Sequence, residues 1–166
     1  MSLEHTDVQK RIQDQFGDSI LSYEMQYDIP VLEIDHARIF ELMQWLKQDA
    51  ELNFSFLTTC CGLHYPDQKK PFGMMYQLHN LQANYRLRIK AFNDKNEPVF
   101  PSLIPLYKTA NWMERETYDF FGFHFEGHPN LTRILNMDSL EGWPLRKEYP
   151  LEDQTRMDKD DKMFGR

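Results

Sequence analysis

NYRLRIKAF, residues 84–92, alternates Tyr85, Leu87, Ile89 and Ala91 with Arg86, Arg88 and Lys90. A period of two over that length marks a β-strand with one face toward a core and the other toward water. Two further runs precede it, FSFLTTCC (54–61) and GMMYQLHNL (73–81), rich in the β-branched, aromatic and long apolar residues that sheets favour. His64 to Lys70, polar and Pro-bearing, reads as the hairpin loop between them, and NDKN (93–96) as the turn that closes the last strand. The middle of the chain is therefore a sheet.

On both sides of it the pattern turns helical. Thr6 with Gln9 three residues on makes a capping box, Val8, Ile12 and Phe16 follow at four-residue spacing, and Gly17 offers a left-handed stop. Leu21, Tyr23, Met25 and Tyr27 then alternate with polar residues as a half-wet strand that Pro30 interrupts. Asp35 can cap a helix whose Ile39, Leu42, Met43 and Leu46 share one face. PVFPSLIP (98–105) carries three prolines and cannot stay regular for long. Asn111 can cap a further helix with Glu114 at its third position, running through WMERETYDFF to Gly122. Beyond it Gly127, Pro129, Gly142, Pro144 and Pro150 break every helical window, which predicts an extended, docked or wrapping segment. Residues 1–150 read as one domain, with 151–166 as an extended or flexible tail.

Bulk properties narrow the function classes. A chain of 166 residues, 41% hydrophobic, can bury a core without covalent staples. Its 19 Lys and Arg against 26 Asp and Glu give a net charge of −7, which excludes the broad positive field that nucleic-acid backbones and anionic lipids attract. No apolar run approaches the roughly 20 residues of a spanning helix, and MSLEHTDVQK lacks the basic start and apolar stretch of a signal peptide, so a cytosolic protein is expected. Cys60 and Cys61 are adjacent, which suits small strand residues better than disulfides or iron–sulfur ligands.

Three clusters bear on chemistry. In HFEGHP (124–129), Gly127 and Pro129 forbid a helix, but in a strand His124, Glu126 and His128 would share a face, leaving open a metal-dependent hydrolase beside the plainer reading of surface polar residues. Glu114 and Glu116 complement the dipole of a helix start, whereas Asp119 lies near the helix end and needs a cation, with Arg115, Arg133 or a partner's base as candidates. Trp112, Tyr118, Phe120, Phe121, Phe123 and Phe125 crowd one short stretch, as either a Phe-rich core or a surface for a second protein.

The run ERETYDFFGFHFEGHPNLTRIL (114–135) resembles the signature of the C subunit of NADH:quinone oxidoreductase, the thirty-kilodalton subunit of respiratory complex I. Glu114, Arg115, Glu116, Asp119, Phe120, Phe121, His128, Ile134 and Leu135 stand at the signature's positions, and the flanking PSLIPLYKTANW and EGWPLRKEYPLED are similar to the family as well. Thr132 stands where a basic residue is usual, and Trp143 where a histidine is frequent. The resemblance implies an α+β fold of two layers, a mixed β-sheet with helices on one face and an extended C-terminal segment. It implies a non-catalytic subunit with no cofactor of its own. FMN or another electron-input module, iron–sulfur clusters and quinone would belong to other subunits of a complex that couples electron transfer to ion translocation. Partner docking would fall to Glu114, Arg115, Glu116, Asp119, His128, Arg133, Arg146 and Lys147, chiefly on the D subunit, with the B and I subunits nearby. The chain would lie on the cytoplasmic side of the plasma membrane, touching it only through the complex. The equivalent subunit of a membrane-bound hydrogenase or F420-type dehydrogenase is the related alternative.

Overall fold

The computed structural model describes residues 4–93 and 98–149. Five strands, β1 (Ile20–Gln26), β2 (Ile29–Ile34), β3 (Phe56–His64), β4 (Phe72–Asn80) and β5 (Tyr85–Asn93), form one sheet in the order β1-β2-β5-β4-β3. The β2–β5 pair is parallel and the other pairs antiparallel, so the sheet is mixed. Helices α1 (His5–Phe16), α2 (Ile39–Gln48) and α3 (Ala110–Phe121) pack on one of its faces, and two short strands, β6 (Val99–Pro101) and β7 (His124–Glu126), pair in parallel beside α3. This is the two-layer α+β architecture expected.

The alternating stretch 84–92 supplies the middle of the sheet. Tyr85, Leu87, Ile89 and Ala91 are buried, with Leu87 opposite Leu78 and Ile89 between Tyr76 and Leu32. Against them lie Val8, Ile12 and Phe16 of α1 and Ile39, Leu42, Met43 and Leu46 of α2, the residues that helical spacing selects. Truncating any one of the fully enclosed leucines to alanine would cost ~2–5 kcal/mol. Helix α3 approaches β3 at Gly62, where a Cβ would stand 2.8 Å from the Phe121 ring and 2.9 Å from Thr117, so only glycine admits the helix this close.

Several local expectations give way. Pro30 does not end the strand region: Tyr27, at φ 55, opens a turn and Pro30 belongs to the returning strand β2. IPVLEI is buried on both faces, Leu32 and Ile34 in the core under the helices and Val31 on the other side, so it lacks the alternation that would reveal it. In β1 the register slips between Ile20 and Ser22, and Leu21 and Met25 face solvent at 56% and 48% exposure. Gly17 stays right-handed and leads into a 3-10 turn, while α1 begins after Glu4 without the Thr6–Gln9 box. Asn111 lies inside the first turn of α3, not at its cap. Asp35 accepts from the Ala37 N–H, at 3.0 Å, but caps the 3-10 turn His36–Arg38 that leads into α2, whose own N-cap is Arg38; Gly122 does end α3 in the left-handed region, at φ 72. The tail 151–166 and residues 94–96 of the NDKN turn lie outside the described residues.

Candidate docking site

An α-helix leaves its last four carbonyls without intrahelical donors, and burying them unpaired is costly. At the end of α3 each finds one. Tyr118 O accepts from Gly122 N at 2.8 Å, Asp119 O from Arg133 Nη1 at 3.2 Å, Phe120 O from Leu145 N at 3.1 Å, and Phe121 O from Arg146 Nε at 2.6 Å. Three of these donors come from the irregular chain after β7. Two of them are guanidinium groups, the cations a helix C-terminus favours.

Asp119 is the second fastening. It has no exposed surface, and its Oδ2 accepts from three successive backbone N–H groups, Ile134 at 3.0 Å, Leu135 at 2.7 Å and Asn136 at 2.9 Å. Successive amides converging on one oxygen form an anion nest. Oδ1 takes Arg133 Nη1 at 2.9 Å and Asn136 Nδ2 at 3.1 Å. Burial alone would raise this carboxyl, but the N–H groups of Asn136, Leu135 and Ile134 and the Asn136 amide outweigh it and hold it well below the usual carboxylate range. Of the candidate cations for Asp119, Arg133 is the one that meets it. Arg115 instead donates to the carbonyls of Thr132 and Arg133, at 3.1 and 2.9 Å.

Arg133 reaches further, donating to Leu140 O at 3.0 Å and Gly142 O at 3.3 Å with its guanidinium 4.8 Å over the Trp143 ring. Arg146 lies over Phe72 at 4.7 Å. His64, buried and stacked on Phe72, accepts the Lys147 N–H at Nδ1 (3.0 Å). Burial lowers its pKa, which suits the neutral ring that this bond requires. Glu148 stands 3.5 Å from the same nitrogen, but a ring nitrogen that accepts an N–H carries no proton to share there. The Lys147 side chain itself points outward, as does Glu116.

Glu114 looks the other way. Fully enclosed, it accepts from Ser102 Oγ and Leu103 N, each at 2.7 Å, and so ties α3 to the loop after β6. Burial pushes its pKa up to about 7 against the lowering by those two donors. HFEGHP begins as the expected strand: His124 and Glu126 are exposed either side of buried Phe125. Gly127, at φ 81, then turns the chain, and His128 leaves the strand face. Its Nδ1 accepts from Asn130 N at 3.1 Å and its Nε2 faces Asn111 O at 3.3 Å, which engages both nitrogens with backbone. Among the described residues no group of three His, Cys, Asp or Glu side chains is placed to hold a metal.

The fastened segment carries apolar side chains outward: Leu135 is 67% exposed and Met137 73%, with Leu145, Tyr149 and, from α3, Trp112 also exposed. His64, Ser102, Asn136 and Gly142 take part in this site without any spacing or composition signal that singles them out. Gly142 sits at φ 90, a left-handed backbone that side chains strain, and an added Cβ there would stand 2.7 Å from the Tyr149 ring.

The family described as "Respiratory-chain NADH dehydrogenase, 30 Kd subunit" matches residues 32–155, which take in the whole of α3 and the segment fastened to it. The chain belongs to that family. The C subunit of the NADH-quinone oxidoreductase of Hyphomonas neptunium is 34% identical over 146 residues, 88% of this chain and 72% of the relative. Among solved structures, a trypsin-resistant fragment (1-134) of Nqo5 superposes with a TM-score of 0.65 at 27% identity, over 75% of this chain and 98% of the fragment. A chain of the membrane-bound sulfane sulfur reductase, an archaeal respiratory membrane complex, superposes with a TM-score of 0.76 over 93% of this chain and 95% of its own; at 20% identity it shares the fold alone. As a member of the 30-kDa family the chain is a component of the C-subunit type of an NADH-quinone oxidoreductase, and none of its described helices is long and apolar enough to cross a membrane.

Proposed function

We propose that this chain is a non-catalytic structural subunit of the hydrophilic arm of an NADH:quinone oxidoreductase, docking the D subunit with the B and I subunits nearby. The observation that carries this reading is the exposed apolar row Leu135–Met137 on a segment clamped to α3 at its backbone. A chain that fixes an irregular segment this firmly, yet turns its large apolar side chains to solvent, has the makings of a protein interface. Glu114 and Asp119 contribute from inside by holding the segment's shape, while Arg115, Glu116, Arg133, Arg146 and Lys147 order or flank the surface. FMN or another input module, iron–sulfur clusters and quinone reside on the partners. The assembled arm lies on the cytoplasmic face of the plasma membrane, and this chain's part is rigidity, since electron tunnelling and quinone positioning need fixed geometry. The same domain in a membrane-bound hydrogenase or F420-type dehydrogenase would be told apart by its neighbouring subunits. A metal-dependent hydrolase is disfavoured because His128 points off the strand with both ring nitrogens engaged.

The test is Leu135→Asp with Met137→Asp in the full-length chain, expressed in cells whose own copy is deleted. Loss of NADH:quinone activity and of the co-purifying D subunit from membranes, with an unchanged circular dichroism spectrum and melting temperature of the isolated chain, is the expected outcome. Retention of full assembly would overturn the proposal.

A further inference from the structure

The sheet face turned away from the three helices has a composition of its own. Strand register places its residues in cross-strand rows: Phe56, His79 and Arg86; Thr59, Gln77, Arg88 and Val31; Cys61, Met75, Lys90 and Glu33. Val31 and Phe92, both buried on this side, lie outside the core that the helices share with the opposite face.

Three observations bear on what this face meets. First, Arg86, Arg88 and Lys90 alternate along the central strand, each separated by about 6.8 Å, in a chain whose net charge is −7. Among the described residues none of the three makes an ion pair, although Glu33 stands directly across from Lys90 in the register. Second, Gln77 is only 8% exposed and accepts from Arg88 Nε at 3.1 Å, yet its Nε2 is buried without a partner. A buried donor left without an acceptor is destabilising, and an arriving oxygen acceptor removes that cost. Third, the rim is aromatic, with Phe56 42% and Tyr65 41% exposed. Unpaired cations, an unsatisfied amide donor and an aromatic rim all call for a ligand rich in carboxylate and carbonyl oxygens that also carries apolar contacts.

We propose that this face is a second docking surface, taking an acidic segment of a neighbouring protein laid along β5 so that its carboxylates meet Arg86, Arg88 and Lys90. An oxygen of the same segment accepts from Gln77 Nε2. A nucleic-acid backbone or an anionic bilayer fits less well, because each responds to the long-range field of the whole molecule, which is negative here, and neither fills an aromatic rim. The surface is separate from the Leu135–Met137 row, and its occupancy does not depend on which complex the chain joins.

The experiment places a photo-cross-linker on the face, His79→p-benzoylphenylalanine, in the full-length chain within cells. After irradiation the cross-linked peptide is sequenced. The expected result is a segment of another polypeptide in which Asp and Glu outnumber Lys and Arg. The cross-link yield should fall about tenfold on adding Arg86→Glu with Lys90→Glu and return when two acids of that segment are changed to lysine. The milder pair Arg86→Gln with Lys90→Gln, which removes charge without adding repulsion, should lower the yield less and guards against misfolding of the reversed variant. Cross-links to a neutral or basic peptide, to this chain's own residues 150–166, to a second copy, to lipid or to nucleic acid would overturn the proposal. So would a yield indifferent to both charge variants, or no cross-link. Because the readout is the identity of the peptide, it can fail while arm assembly persists, and the reverse.

Discussion

Glu114 and Asp119 stand on the same helix, both with no exposed surface, and their carboxyls are pushed in opposite directions. Burial acts on each alike, raising the pKa by disfavouring charge. What differs is the number of donors. Glu114 has one hydroxyl and one N–H, not enough to offset burial, and settles at about 7. Asp119 has three backbone N–H groups, an amide and a guanidinium, and remains charged well into acid. Two enclosed carboxylates on one helix thus do different work: one clamps a segment as an anion, the other sits near neutrality as a junction between α3 and the β6 loop.

The contrast is undone most severely at Asp119. Asp119→Ala leaves Arg133 and three N–H groups without their acceptor, and a loss of about 3–5 kcal/mol is expected in urea denaturation of the full chain. Hydrogen exchange at Ile134, Leu135 and Asn136 should accelerate together. Arg133→Met is expected to cost about 1–3 kcal/mol through its lost bonds. Its sharper readout is the Asp119 carboxyl, which should stay low in an NMR titration because its N–H donors remain. A return to an ordinary carboxylate value would assign the depression to the cation instead.

Ser102→Ala removes one of the two donors of Glu114 and should move its titration above 7, at a cost of about 1 kcal/mol. The smallest effect at neutral pH belongs to Glu114→Gln, under ~1 kcal/mol, though it removes a pH dependence. A carboxyl raised in the native state from 4.5 to about 7 contributes stability that is full below 4.5 and lost as pH rises through 7. Asp119, depressed from 3.8, does the opposite, contributing above that value and losing it as pH falls toward its native pKa. Stability against pH in the Gln variant should therefore be flatter between 4.5 and 7 and unchanged in its acid limb.

How much of this was legible follows from what periodicity can carry. β5 and α2 announced themselves because each buries one face and wets the other, which is what the alternation in 84–92 and the spacing of Ile39, Leu42, Met43 and Leu46 record. β2 stays hidden because Val31, Leu32 and Ile34 bury both of its faces, which leaves no such contrast, and Pro30 stands in it. At the site, the need of Asp119 for a cation could be inferred from its place near a helix end, and Arg133 was among the candidates. The nest could not, since three converging N–H groups are a property of loop conformation rather than of residue type. Sequence position alone points Glu114 to the helix dipole, because nothing in the sequence brings Ser102 and Leu103 to it. The aromatic stretch is only partly enclosed. Phe123 and Phe125 are core, with Phe123 stacked on Phe100 at 5.6 Å, while Trp112 is 58% exposed.

The end of α3 receives the later chain at three carbonyls and one carboxylate within a single turn. Those bonds share their donors: Arg133 alone serves Asp119, Leu140 and Gly142. Such a segment does not fray one contact at a time, because releasing any part strands polar groups that the remainder had satisfied. It behaves as a latch, seated or free, so the apolar row at Leu135 and Met137 is offered only by a chain in which α3 is already complete.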